Sequence, residues 1–463
     1  MLNPISENQF DLYVLVTRNR YANILAKEVR WFKNDTDTIF GIVLRDNIDY
    51  NYTSMLLCRD SSYYVRYRKQ EIDFESIEEA EKWLMVEAEK LEEDDDFIQR
   101  QEMFKKNKRM DIFRSHSDEK KLNSIFKLLR DDNVYAGAKK VISEIMPYFF
   151  DIDGNYIQQF QTTGFDARLW EMYLFCYFEE EGLEVIRDGR FYAPDFYLRN
   201  GSIYVGVEAV TVGRIDAKKN ESDQNIDILE LMDNKMPIRY GSALYSKIRH
   251  VDKNNGKHYW EFEHIKDNPF VIAIADFHED LAMMWTTTAL ITYLYGYKYS
   301  SKYDEYGNLI ILPEKIEKHV YGDKCIESGL FFQKGSEHIS AILFSASGTL
   351  SKFNRIGKQC GFDKSDIKMV RNVMCYNPAP NASKPIQLCY EVSEDNSEAW
   401  GEGITVFHNP NAVKPLPKDF FSTVTQDYFI DGYIYSDMPY PHVYSSFTSY
   451  LVKNEKDSDD EAI

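Results

Sequence analysis

No stretch of the chain approaches the roughly 18 consecutive apolar residues that a membrane-spanning helix needs. The opening segment MLNPISENQFDLYVLVTRNR also lacks the basic head and clean apolar run of a secretion signal. A soluble, cytoplasmic protein with no membrane partner is the expectation. Cysteine is sparse: Cys58, Cys176, Cys325, Cys360, Cys375 and Cys389 stand far apart with no CxxC spacing. That excludes a zinc knuckle and a dense disulfide scaffold, and Cys176, inside an apolar helical run, reads as a buried thiol. The phosphate loop GxxxxGK[ST] is missing, which argues against built-in ATP-driven motion. Ser345-Ala346-Ser347-Gly348 is not a GxSxG elbow, and His258, His264 and His338 are isolated, with no HExxH pattern.

Positive charge is also short. Lys and Arg number 55 against 75 Asp and Glu, for a net charge of -20. A chain so acidic has no general electrostatic grip on a phosphate backbone and needs a local basic surface or a partner to bind one.

What is abundant is core-forming material, 44% hydrophobic and 15% aromatic residues over 463 positions, enough for several large cores. Residues 1–96 read as a small α+β module. Strand-like runs DLYVLV, TIFGIVL, SMLLC and YYVRYR lead to a helix over 75–96, with Ser76 and Glu79 spaced as a capping box. This module carries no catalytic set and is available for dimerisation or a protein partner. Residues 97–150 read as a charged linker and helical segment, with a basic patch at Lys105, Lys106, Lys108 and Arg109. Residues 151–300 change rhythm to helix, three strands, helix, buried strand and helix, an α/β order. Residues 301–453 read as an α/β extension available to complete that core, containing the buried strand HISAILFSASG and the basic loop TLSKFNRIGKQCGF. The acidic tail 454–463 reads as disordered.

The chemistry concentrates in 151–300. Asp195 follows Pro194 in a strand-like run, and Glu208 lies 13 residues on in the next strand. A turn at Arg199–Ser202 sets the two carboxylates side by side, where they repel unless a cation, proton or basic group intervenes. Glu171, on the preceding helix, completes an oxygen-rich pocket suited to Mg²⁺ or Mn²⁺.

Glu171 on a helix, Pro194-Asp195 in a strand and Glu208-Ala209-Val210 in the next resemble the PD-(D/E)xK nuclease superfamily over residues 165–280. The resemblance implies a restriction-endonuclease-like mixed central sheet flanked by helices, with Glu171, Asp195 and Glu208 holding the metal. It also implies metal-dependent hydrolysis of phosphodiester bonds, DNA ahead of RNA, in a bacterial defence setting. The alternative is an inactive nuclease-like scaffold that binds nucleic acid or protein. The pattern's lysine is absent, because Val210 stands at its position. Lys247, in SALYSKIRH, is the first candidate to replace it, ahead of Lys218 and Lys219. Arg168, one helical turn before Glu171, either meets phosphate or holds a carboxylate. Asp276 and His278 close a buried strand and are further candidates, whereas Tyr293, Tyr295, Tyr297 and Tyr299 offer either base-stacking surfaces or packing.

Overall fold

In a computed structural model the described residues are 1–18, 22–94, 97, 111–114, 117–149, 154–187, 192–214, 228–363, 365–439 and 441–451. The basic patch at 105–109, the candidates Lys218 and Lys219, and the acidic tail lie outside them. The fold is mixed α/β, with a large mixed sheet flanked by helices and an N-terminal antiparallel sheet. The chain divides into two compact units. One comprises Met1–Asp151, Phe353–Asp366 and Val392–Glu398, and the other Ile152–Lys352, Ile367–Glu391 and Ala399–Ile463.

The first unit is built on five antiparallel strands in chain order: Leu2–Ile5, Ala26–Asn34, Ile39–Asp46, Tyr52–Arg59 and Val65–Phe74. Both faces are covered. Ala80, Leu84 and Ala88 of the helix Ile77–Glu92 pack on Val43 and Leu56, and the Glu79 amide donates to the Ser76 hydroxyl at the helix start. Phe10, Tyr13 and Val14 cover Phe40, Ile42 and Val65. Those three belong to a helix, Glu7–Val14, so the strand expected at DLYVLV is corrected. Ser6 accepts from the Gln9 amide and starts the helix, and the spacing of residues 10, 13 and 14 puts them on one helical face.

The basic loop expected at 349–362 is likewise corrected to a helix, Leu350–Gln359. Its polar residues misled because they are buried in pairs. Arg355 holds Glu398 through two 2.7 Å contacts, and Asn354 accepts from the Ala138 amide at 3.0 Å while donating to the Val134 carbonyl at 2.7 Å. Gly357 lies directly against Gly137 of the helix Ala136–Ile145, where an added Cβ would sit 2.4 Å from the Gly137 carbonyl carbon.

The large sheet of the second unit has eight strands among the described residues: β1 (Glu184–Val185), β2 (Phe196–Asn200), β3 (Ile203–Val212), β4 (Phe270–Asp276), β5 (Ala341–Ser345), β6 (Ile404–His408), β7 (Thr425–Ile430) and β8 (Tyr433–Asp437). They lie side by side in chain order. The first three form an antiparallel meander, β3, β4 and β5 are parallel, β6 runs against β5 and with β7, and β8 closes antiparallel. Every residue of β4 and β5 is buried, as expected for strands covered on both faces. The helix Phe165–Glu180 is buried continuously from Leu169 to Phe178. Phe178 meets Phe196 edge-on at 5.2 Å, and the Trp170 indole donates to the Ala273 carbonyl. The helix Met236–Ile248 packs Tyr240, Leu244 and Ile248 into the cluster with Ile272 and Ile274. A three-stranded sheet, Ile386–Glu391, Lys368–Cys375 and Val443–Leu451, belongs to the same unit.

Replacing Gly357 by Ala drives the new Cβ into the Gly137 backbone, where there is no flexible side chain to yield. We expect it to destabilise the first unit by about 1–3 kcal/mol, read as a shift in the denaturation midpoint. Gly213→Ala, which meets nothing within 4 Å, should leave stability nearly unchanged.

Candidate active site

The β2–β3 register sets the first pair of carboxylates. Phe196 is opposite Val207, so Asp195 and Glu208, each one step outward, face each other at the end of the ladder. The pairing is held by two backbone amides: Ala209 N donates to Asp195 Oδ2 at 2.8 Å, and Asp195 N donates to Glu208 Oε2 at 3.3 Å. Gly206 permits this approach, since a Cβ there would lie 3.1 Å from Pro194 Cγ and 2.8 Å from Ile265 Cδ1.

Lys247, near the end of the helix Met236–Ile248, reaches down to place Nζ 2.5 Å from Glu208 Oε1. Val210 brings no charge and packs on the apolar cluster containing Tyr240 and Leu244. The lysine thus arrives from the crossover between parallel strands β3 and β4, not from the strand position where the motif would carry it. Glu171 enters from the helix Phe165–Glu180, and Arg168 Nη1 contacts both of its oxygens, at 2.9 and 2.7 Å. Of the two roles open to Arg168, holding a carboxylate is the one seen. Gln159 Oε1 accepts from Arg168 Nε at 2.8 Å and fixes the guanidinium.

Three carboxylates therefore meet two cations. Burial pushes Glu171 up to about 8, reinforced by the charge of Asp195 and opposed by Arg168. Crowding by surrounding atoms, then the charge of Glu208, raises Asp195 to about 7 against the pull of Lys247. The Asp195 residue surface is exposed, so water screens part of its shift, and Glu171, which is buried, carries the firmer one. Burial opposes the Lys247 charge, but Glu208, Asp195 and Glu171 together hold its pKa above the ordinary value.

Oxygen ligands of this kind suit a hard divalent cation. In the conformation described, however, no group of three or more His, Cys, Asp or Glu among the described residues is spaced to hold one. Glu208 is turned to Lys247 and Glu171 to Arg168. The donor chemistry fits, and closure on a metal requires loosening those two ion pairs.

Other candidates stand apart. Asp276 accepts from Tyr240 Oη at 3.1 Å and lies 2.9 Å from His278 Nδ1, a buried pair at the far end of β4. Tyr293 and Tyr295 are buried in the core, with Tyr295 stacked on Phe429 at 5.1 Å, so packing is their role. His258 and His338 each stack on Trp260. Sequence reasoning missed Gln159 and also Tyr259, whose buried hydroxyl hydrogen-bonds Glu208. Neither belongs to the motif, and the aromatic run HYWEF around Tyr259 was its only visible signal.

The shared excess of negative charge fixes a sign. Carboxyls whose folded pKa values are raised, to about 8 and about 7, contribute stability that is present below the ordinary carboxyl range and lost as pH rises through those values. Without divalent cations, the unfolding midpoint should therefore fall by a few degrees between about pH 6 and about pH 9. The double variant Glu171→Gln/Asp195→Asn should show a flatter profile, and Mg²⁺ or Mn²⁺ should restore the wild type alone at the higher pH.

No family model matches the chain, and neither the curated proteins nor the solved structures include a match to it.

Proposed function

We propose that the chain is a metal-dependent nuclease with a restriction-endonuclease-like core, hydrolysing phosphodiester bonds in DNA. The observation that carries this reading is the salt bridge from Lys247 Nζ to Glu208 Oε1. It brings a cation to the carboxylate pair although the motif position holds Val210. Support comes also from element order: a helix bearing Glu171, an antiparallel meander bearing Asp195 and Glu208, a crossover helix bearing Lys247, and a parallel fourth strand.

On this reading Glu171, Asp195 and Glu208 hold Mg²⁺ or Mn²⁺, which supplies Lewis acidity toward the scissile phosphate and the attacking water. Asp195, fixed by the Ala209 amide, presents its remaining oxygen lone pairs to the site. Lys247, beside Glu208, would face the phosphate and balance charge that builds in the transition state. Arg168, beside Glu171, would be the second phosphate contact. Gln159 keeps its guanidinium aimed at the site. A role in genome defence is carried by the superfamily resemblance alone, and a cytoplasmic location by the scattered cysteines.

A second reading is a non-catalytic scaffold that binds nucleic acid or protein. It draws on the same two ion pairs, which quiet the carboxylates without any metal, and on the net charge of -20.

Purified wild type, Asp195→Asn and Lys247→Met incubated with plasmid DNA, single-stranded DNA and RNA, in EDTA, Mg²⁺ or Mn²⁺, separate the two. The nuclease reading expects cleavage only with metal, cut about 100-fold or more by either substitution. Wild type that cleaves none of the three substrates with either metal, or Asp195→Asn as active as wild type, ends that reading.

A further inference from the structure

The second unit contains a cavity of about 490 Å³, within the range of small-molecule sites. It lies outside the carboxylate cluster, since none of Glu171, Asp195, Glu208 or Lys247 lines it. Its floor is one face of β6, β7 and β8, where Thr405 pairs with Thr425, Phe407 with Asp427, and Asp427 with Ser436. Its walls come from the helix Thr287–Tyr295, from the loop before it, and from the strands Lys368–Cys375 and Val443–Leu451.

Polar residues, among them Tyr376, Asn377, Ser383 and Lys384, make up much of the lining, and two of the polar groups are incompletely used. Asp427 is 6% exposed. One of its oxygens accepts from Ser436, but Oδ1 has no hydrogen-bond partner, and no ion pair to it is present among the described residues. Burial raises the carboxyl to about 6, against the pull of the Ser436 hydrogen bond. The buried Thr287 hydroxyl is also without a hydrogen-bond partner among the described residues. His442 is engaged through Nδ1 with the Thr425 hydroxyl at 2.7 Å, and burial lowers it to about 4, so it is neutral and offers no counter-charge. Trp285, Tyr444, Met284 and Met374 give the cavity aromatic and thioether surface, and its one lining lysine, Lys384, is solvent-exposed, unlike the buried Asp427.

We propose that this cavity binds a small organic cation, an apolar or aromatic body carrying one protonated nitrogen, with Asp427 as counter-ion. A buried carboxylate with an unused oxygen is costly until a charged donor reaches it. Aromatic faces and polarisable methionine sulfurs accept the rest of such a ligand and stabilise its charge. The alternatives fit less well. An anion is repelled by Asp427, a wholly apolar ligand leaves Oδ1 unpaired, and a hard divalent ion finds one carboxylate where it needs several oxygen ligands. The site is independent of the proposed nuclease chemistry, and each stands or falls alone.

Tryptamine and phenethylamine serve as probes, with indole as the neutral control. Binding to the full chain is measured by titration calorimetry and by the shift in unfolding temperature, for wild type, Asp427→Asn and Thr288→Trp. Thr288 is exposed at the cavity wall, so its replacement obstructs entry without entering the core. The expected result is saturable binding of at least one amine, about 10- to 100-fold weaker in Asp427→Asn and similarly weaker for indole, and lost in Thr288→Trp. Absence of saturable amine binding to wild type overturns the proposal. So does equal affinity in Asp427→Asn, or indole binding as tightly as tryptamine. Should Asp427→Asn fail to fold, undiminished amine binding to folded Thr288→Trp overturns it instead.

Discussion

The organising constraint in the second unit is electrostatic: two carboxylates at the end of one strand ladder and a third from a neighbouring helix come together, and among the described residues two cations, Lys247 and Arg168, pair with them. Backbone geometry forces the first part. Once Phe196 pairs with Val207, Asp195 and Glu208 must face each other, and sharing the Ala209 and Asp195 amides tightens the arrangement without neutralising it. Lys247 and Arg168 answer two of the three charges. The third is left to a proton or an added cation, and burial or crowding first, then the charge of a neighbouring carboxylate, makes Glu171 and Asp195 both lean toward holding a proton.

The same imbalance bears on the acidic composition. A chain with net charge -20 repels a polyanion over most of its surface, and the cations at the site are engaged with carboxylates. On the proposed reading Glu171, Asp195 and Glu208 would hold a divalent cation, which would supply positive charge that the cluster lacks, and Lys247 and Arg168 would supply the local positive charge toward a phosphate.

Much of this centre was legible in the sequence, and the reason is local. Glu171, Asp195 and Glu208 lie within 38 positions on consecutive elements, and strand periodicity with a short turn fixes which faces meet. Lys247 was legible as a basic residue late in the helix before the next buried strand. Gln159 and Tyr259 were not, because they act through pairwise contacts that no period or motif encodes. The two misassigned segments share a cause. DLYVLV is rich in strand-favouring residues, yet Ser6 caps a helix there and tertiary packing overrides propensity. In TLSKFNRIGKQCGF the buried Asn354 and Arg355 look like loop residues until their distant partners Ala138 and Glu398 are known.

The cavity over β6, β7 and β8 was illegible for the same reason taken further. Asp427 sits two residues after Thr425 in a strand whose sequence, TQDYFI, gives no sign that one acid will be 6% exposed. Its environment is assembled from segments spread over some 210 positions, from Met232 to Ser445. Yet its physical logic mirrors that of the carboxylate cluster. There, several acids and oxygen ligands favour a hard inorganic ion. Here, a lone acid among aromatic rings and thioethers favours a soft, diffuse organic charge. The surroundings of each acid, and not the acid itself, decide which cation it is built to meet.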